Sequence, residues 1–174
     1  MKRKTAMSGQ TEARIFAVLV DNEPGVLARV IGLFSGRGYN IESLTVTEVD
    51  VAAHLSRITI VTSGTPQVLD QIHAQLERLV PVHRVSDVTG SGPYVERELA
   101  LVKVVGGGEK RLEALRIADI FHAQVVDAGL DYFVFQVAHR SDKLNRFIDL
   151  MQPLGLIDLC RTGVVAISRG PEGF

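Results

Sequence analysis

Cysteine, tryptophan and an excess of charge are nearly or wholly lacking in this sequence. Cys160 is the single cysteine, which excludes an internal disulfide. Aromatic residues make up 6% of the chain and tryptophan is absent, so packing must rest on Val, Ile and Leu, a composition that favours sheets covered by helices. The 19 basic and 20 acidic residues give a net charge of −1, which argues against a nucleic-acid partner.

Long apolar runs are lacking as well. No segment approaches the roughly 20 apolar residues that a membrane-spanning helix needs. The basic cluster Met1–Lys4 is followed by polar residues and not by an apolar signal-peptide segment. We therefore expect a soluble, cytoplasmic protein without a membrane partner, and we assign no function to an N-terminal tail over residues 1–13.

Recognisable catalytic and metal-binding motifs are also missing. No two histidines lie at i, i+4, and none has a cysteine at zinc-ligand spacing. Gly106–Gly108 is followed by Glu-Lys, which fits neither a P-loop nor a dinucleotide fingerprint, and no serine lies in a G-x-S-x-G elbow. Cys160 lies in an apolar strand pattern and is expected to be a small buried hydrophobe. These absences disfavour an autonomous enzyme and predict neither a catalytic residue nor a metal site.

The sequence does contain a β-α-β-β-α-β pattern over residues 14–89. Its first strand is the apolar run Ile15–Val20. An apolar stripe at helical spacing then extends from Pro24 to Gly38, with the proline suited to the first helical turn. Thr65 and Pro66 predict the start of a second helix. Further strands are predicted at 40–49, 57–62 and 82–88.

The same order recurs after a linker over residues 90–97 that is rich in Gly, Ser and Pro. The second copy occupies residues 98–174, with Leu99–Val105 as its first strand and Ser141 as the N-cap of its second helix. The predicted fold class is α+β, with two ferredoxin-like βαββαβ domains in tandem. Each domain has helices for only one face of its sheet, so we expect the two halves to stack or copies of the chain to associate.

The turn between the first strand and the first helix is the best candidate for a binding site. The first N–H groups of a helix lack backbone partners and carry the positive end of its dipole, which suits a small anion such as a carboxylate. Gly25 leaves those groups unshielded, and the apolar Val26 and Leu27 follow at once. Asn22 could cap the helix or hydrogen-bond a ligand, since its side-chain amide offers a donor and an acceptor. The alternative interpretation is an ordinary turn and helix cap. Asn40, at the entry to the next strand, is open to the same two interpretations.

Several motifs resemble one known family. The stretch "DNEPGVLARVIGLFSGRGYNIESLTV" is similar to the ACT domain of the small regulatory subunit of acetolactate synthase (acetohydroxyacid synthase). The stretches "LVPVHRV", "VERELALVKV", "IFHAQVVD" and "RTGVVAISRG" resemble later segments of that family in the same order. The resemblance extends from about Arg14 to Gly170, and it implies that residues 14–89 form the ACT domain and residues 98–174 an ACT-like domain.

The resemblance implies a regulatory function. The family's large subunit is a thiamine-diphosphate enzyme that condenses two pyruvates, or pyruvate with 2-oxobutyrate. The small subunit activates it and confers feedback inhibition, commonly by valine, in branched-chain amino-acid synthesis. No cofactor is then expected in this chain, whereas thiamine diphosphate, magnesium and FAD are expected in the catalytic partner.

The resemblance also implies where the effector binds. Family ACT domains pair side by side as a homodimer, with the effector at the interface between two chains. The implied effector residues are Asn22, Gly25, Val26 and Leu27 of one chain with Asn40 and Ile41 of its partner. The second half has Gly106–Glu109 in place of a Pro-Gly loop, so we expect no second effector site there and assign it a role in contacting the large subunit.

A different function remains an alternative. A stand-alone ACT-type amino-acid-binding regulator of another enzyme or of transcription would use the same loop, although no helix-turn-helix or basic face is visible. Valine, leucine and isoleucine differ by a methyl group or two, which is worth only about 1–3 kcal/mol in a pocket. The sequence therefore does not choose among these effectors.

Overall fold

The computed structural model describes residues 11–174, which divide into two compact units. The first unit contains the chain up to Tyr94 together with Ala166–Phe174, and the second is Val95–Val165. The sequence predicted a boundary linker at 90–97 and a second domain at 98–174. The second unit begins earlier than predicted because Tyr94–Val105 is one continuous strand. It also ends earlier than predicted, because the last nine residues pack within the first unit. The N-terminal tail was predicted to extend to residue 13, but the first strand already begins at Glu12. The basic cluster Met1–Lys4 lies outside the described residues.

The first unit is a four-stranded antiparallel sheet with two helices, in strand order β2-β3-β1-β4. Its elements follow one another as β-α-β-β-α-β, as predicted. They are β1 (Glu12–Asp21), α1 (Val26–Arg37), β2 (Ser43–Asp50), β3 (Leu55–Gly64), α2 (Pro66–Leu76) and β4 (Val82–Asp87).

The second unit repeats this plan with strand order β6-β7-β5-β8. The predicted tandem arrangement of two ferredoxin-like folds is therefore confirmed. Its elements are β5 (Tyr94–Val105), α3 (Gly108–Ile120), β6 (Gln124–Ala128), β7 (Tyr132–His139), α4 (Ser141–Met151), a 3₁₀ turn (Gln152–Leu154) and β8 (Leu156–Arg161). A last strand, β9 (Val165–Ser168), then leads into the C-terminal residues.

Hydrophobic spacing explains which faces are buried in the first unit. Alternate residues of β1, namely Phe16, Val18 and Val20, point to the helices, as period-2 patterning requires. They pack against the inner stripe of α1, in which Val26, Val30 and Phe34 are buried. The helix α2 begins as predicted, with Thr65 as its N-cap: the Thr65 hydroxyl accepts a hydrogen bond from the Val68 amide at 3.4 Å.

Two details of the second unit differ from the sequence-based predictions. Ser141 is the first residue of α4 and not its N-cap, which is Arg140; the Ser141 hydroxyl instead donates a hydrogen bond to Glu98 at 2.8 Å. Cys160 is exposed and not buried, because β8 is an edge strand from which all residues after Leu156 are accessible.

Candidate functional site

The candidate effector loop connects β1 to α1 and is anchored at its β1 end by backbone hydrogen bonds. The Asp21 amide donates to the Pro81 carbonyl at 3.0 Å, and the Asn22 amide donates to the His54 carbonyl at 2.7 Å. The loop therefore rests on two neighbouring turns of the same unit. Its side chains at Asn22, Glu23 and Pro24 are exposed.

The helix begins two residues later than the sequence indicated. Pro24 was predicted in the first helical turn, but α1 begins at Val26 with Gly25 as its N-cap. Gly25 has a φ of 88°, in the left-handed region that glycine enters at little cost. The Arg29 amide donates to the Gly25 carbonyl at 3.0 Å and closes the first turn. A Cβ added at Gly25 would meet nothing within 4 Å, so the space in front of the helix is open.

Amide groups at this helix start are available to a ligand. The Val26 amide donates to the Glu23 carbonyl at 3.3 Å. The amides of Gly25, Leu27 and Ala28 have no hydrogen-bond partner among residues 11–174. No side chain caps the helix, so the interpretation of Asn22 as its cap is wrong. Free amides together with the positive end of the helix dipole form a site for a carboxylate or another small anion.

The side chains around this helix start combine one free amide with apolar surface. Asn22 is exposed, and its side-chain amide has no partner within the part of the chain that the structure describes. Its neighbour Asp21 is engaged, with its carboxylate 2.6 Å from Nε2 of His83. Val26 is buried, whereas 37% of Leu27 is exposed. Leu27 therefore provides the apolar surface next to the free amides.

Asn40 and Ile41 lie at the other end of α1. The helix ends at Arg37, and the following Gly38 has a φ of 69° and donates its amide to the Phe34 and Ser35 carbonyls. The Asn40 carbonyl accepts a hydrogen bond from the Thr62 hydroxyl at 2.6 Å, which ties this loop to β3. The exposed Asn40 side chain has no partner among the described residues, and Ile41 packs at the edge of the core.

Within one chain the predicted effector residues around Gly25 are not in contact with Asn40 and Ile41. They lie at opposite ends of α1, which has 12 residues and so spans about 18 Å at 1.5 Å per residue. A small molecule that touches the free amides near Gly25 is therefore out of reach of Asn40 of the same chain. A site that contains both groups needs a second copy of the chain.

A set of exposed apolar residues on α1 and on the edge strand β2, here called the apolar strip, was missed by the sequence analysis. The strip consists of Leu27 and Ile31 on α1 and of Val46 and Val49 on the edge strand β2, whose exposed fractions are 37%, 38%, 43% and 51%. One signal was available, because the stripe on α1 has five apolar residues and only three of them are buried. The surplus at Leu27 and Ile31 marks a second apolar face.

Groups that would favour a different chemistry are lacking among residues 11–174. No cluster of three or more His, Cys, Asp or Glu side chains there could hold a metal ion. Within the same residues, no helix is long and apolar enough to cross a membrane.

Comparison with known families assigns both units. Residues 16–84 match the family described as the AHAS small subunit-like ACT domain. Residues 97–170 match the family described as the small subunit of acetolactate synthase. The chain belongs to the acetolactate synthase small-subunit family. This assignment confirms the resemblance inferred from the sequence motifs.

Individual members of the family are similar over nearly their whole length. The chain is 50% identical over 156 residues to a probable acetolactate synthase small subunit of Archaeoglobus fulgidus, covering 88% of this chain and 95% of that protein. It is 48% identical over 160 residues to the acetolactate synthase isozyme 3 small subunit of Salmonella typhimurium, covering 91% and 97%. The crystal structure of the small subunit from Thermotoga maritima matches with a TM-score of 0.84 at 32% identity, over 92% of this chain and 99% of that one.

Proposed function

We propose that this chain activates the catalytic subunit of acetolactate synthase and makes it sensitive to feedback inhibition by valine. The observation that carries the effector site is the helix start at Gly25, where open space, three unpaired amides and the exposed Leu27 occur together. An amino acid with a short aliphatic side chain has a complementary group for each of these features. Its carboxylate would accept from the amides, and its side chain would contact Leu27.

The same site explains why two chains are needed. The ammonium group of the effector requires hydrogen-bond acceptors, and the side-chain oxygens of Asn22 and Asn40 can accept. Since Asn40 of the same chain lies at the far end of α1, we assign this role to Asn40 of a second copy, together with Ile41. The apolar strip of Leu27, Ile31, Val46 and Val49 is the surface through which the two copies would pair, because their association would remove it from water.

Inhibition then follows from linked equilibria. A ligand shared by two chains favours the arrangement that brings both halves of its site together. If the catalytic partner is less active when bound to that arrangement, valine lowers its activity by shifting the equilibrium toward that arrangement, with a coupling free energy that is typically about 1–3 kcal/mol in allosteric proteins. The chemistry itself belongs to the large subunit, to which we assign thiamine diphosphate, magnesium and FAD.

The test is a substitution that adds charge where the carboxylate of valine would bind. Gly25→Asp places a negative group beside the free amides, and the open space there accommodates it. Gly25→Asn is the matched control, because it has nearly the same size and the same left-handed backbone cost but no charge. The purified chain is combined with the large subunit, and acetolactate formation is measured against valine concentration.

We expect Gly25→Asp to raise the valine concentration for half-inhibition by at least about tenfold, which corresponds to about 1.4 kcal/mol, while activation of the large subunit persists. Gly25→Asn should retain most of the inhibition. Equal sensitivity to valine in the wild type and in Gly25→Asp would refute the site, and a chain that does not stimulate the large subunit at all would refute the function.

A further inference from the structure

A cleft of about 400 Å³ lies in the first unit, on the sheet face that its helices do not cover. Strands β3 and β4 form its floor, and the C-terminal residues from Ile167 to Phe174 form its wall. Its size is within the range of small-molecule pockets. The effector loop is not part of it.

Two arginines face this cleft from strands on either side of β1. Arg57 on β3 and Arg84 on β4 both pair with Leu19 of β1, so they occupy the same level of the sheet. Two strand spacings separate them by about 10 Å. Both guanidinium groups lie over the ring of Phe174, at 4.7 Å for Arg57 and 5.1 Å for Arg84. A third arginine, Arg169, lines the same cleft.

None of these three arginines has a carboxylate partner among the residues that the structure describes. None of the ion pairs formed among residues 11–174 includes Arg57, Arg84 or Arg169. Residues 1–10 contain no Asp or Glu that could supply one. Glu172 also lines the cleft but makes no ion pair with any of the three. Three arginine side chains therefore line the cleft with one acidic side chain, Glu172, so the side chains of its lining have an excess of positive charge.

Arg57 is the least exposed of the three arginines in this cleft. Its guanidinium is half-buried and donates one hydrogen bond, to the Ala166 carbonyl at 2.7 Å. Burial lowers the pKa of Arg57, and no neighbouring anion offsets it. A guanidinium has five N–H donors, so Arg57 retains donors that can bind an anion from solution.

We propose that this cleft binds the phosphate group of a small molecule. A phosphate offers several acceptor oxygens and the charge that suits more than one guanidinium, and arginine binds it in a bidentate geometry. The hydroxyls of Ser86 and Ser168 line the same space and can donate further hydrogen bonds. The ring of Phe174 provides an apolar wall for the rest of the ligand.

Inorganic phosphate is the probe, titrated into the purified full-length chain by calorimetry at constant ionic strength. The variants are Arg57→Gln, Arg84→Gln and the control Arg78→Gln, which removes the same charge from an exposed position in the same unit. Circular dichroism establishes that each variant is folded; if Arg57→Gln does not fold, the exposed Arg84→Gln decides the test.

We expect saturable phosphate binding that each cleft substitution weakens by about tenfold or more and that Arg78→Gln leaves unchanged. Absence of saturable binding would overturn the proposal. So would an equal loss in Arg78→Gln, which would indicate non-specific charge attraction, or tighter binding of succinate than of phosphate, which would assign the cleft to carboxylates. None of these outcomes depends on valine or on the catalytic partner.

Discussion

The buried ion pair between Glu98 and Arg161 in the second unit allows a quantitative prediction. The Glu98 side chain is 6% exposed, and Arg161 binds it through two hydrogen bonds of 2.8 and 2.7 Å. Ser141 donates a third at 2.8 Å, and Arg161 also donates to Asn145 at 2.9 Å. Removing Arg161 therefore leaves a buried carboxylate with much less compensation.

The expected magnitude follows from the exposure of the two partners. Breaking a fully buried pair costs about 3–5 kcal/mol. Since 33% of the Arg161 side chain is exposed, water screens part of the interaction, and we expect Arg161→Met to lower the free energy of unfolding by about 2 kcal/mol. With a urea m-value of about 2 kcal/mol/M, the unfolding midpoint should fall by about 1 M. The double variant Glu98→Leu/Arg161→Met should regain most of the loss, because no charge is then buried alone.

The pH dependence of the free energy of unfolding provides a second test of this ion pair. Burial alone would raise the pKa of Glu98, but the hydrogen bonds from Arg161 and Ser141 outweigh it, so the pKa is lowered. A carboxyl with a lowered pKa in the folded state stabilises the protein above its unfolded value of about 4.3, and this contribution disappears as the pH falls through the folded pKa. Arg161 contributes the largest effect that lowers the pKa of Glu98, so its removal should raise that pKa, and the stability difference between the wild type and Arg161→Met should narrow on acidification from pH 7 to pH 4.

The assay is urea unfolding followed by circular dichroism, with amide hydrogen exchange in β5 and β7 to report on the second unit alone. A loss below about 0.5 kcal/mol for Arg161→Met would refute the reasoning, since that is the range of ordinary surface substitutions. A double variant as unstable as the sum of the two single variants would refute it equally.

Two further predictions concern a glycine in the second unit and the dimeric effector site. Gly155→Ala should lower the free energy of unfolding by more than about 3 kcal/mol, because a Cβ there would lie 2.0 Å from the Val105 carbonyl oxygen at a φ of 107°. The control Gly107→Ala has open space and an extended backbone and loses only a favourable N-cap residue of α3, so it should lower the free energy of unfolding by no more than about 1 kcal/mol in the same urea assay. Valine binding to the isolated chain should weaken on dilution below the concentration at which dimers dissociate, measured by calorimetry at two chain concentrations, and a concentration-independent affinity would place the whole pocket in one chain.

Periodicity was sufficient to predict the order of elements in both units. The spacing of apolar residues along one strand or helix indicates which of its faces is buried, and this spacing can be read from the local sequence. Examples are the alternation of Phe16, Val18 and Val20 and the helical stripe of Val26, Val30 and Phe34. The C-terminal residues were assigned to the second domain because the contact that holds them in the first unit joins Arg57 to Ala166, which are 109 residues apart. No local pattern records such a contact.

The candidate site was predicted only in part, for a related reason. The sequence identified the residues around Gly25, but it placed Pro24 inside the helix because proline favours that position. The left-handed backbone of Gly25 delays the helix to Val26 and leaves the loop open. The arginines of the cleft were not identified at all, since Arg57 and Arg84 become neighbours only through their shared partner Leu19 on β1.

The length of α1 connects the fold to the proposed regulation. A helix of 12 residues separates the free amides at its start from Asn40 beyond its end by about 18 Å. Each chain therefore contributes one part of the proposed effector site at the start of α1 and the other part beyond its end. Pairing two copies along the strip of Leu27, Ile31, Val46 and Val49 would complete it. Binding of the effector and association of the chains then become one linked equilibrium: whatever stabilises the pair strengthens binding, and the ligand stabilises the pair by the same free energy. A pocket contained in a single chain would have no such means of reporting occupancy through the arrangement of two subunits.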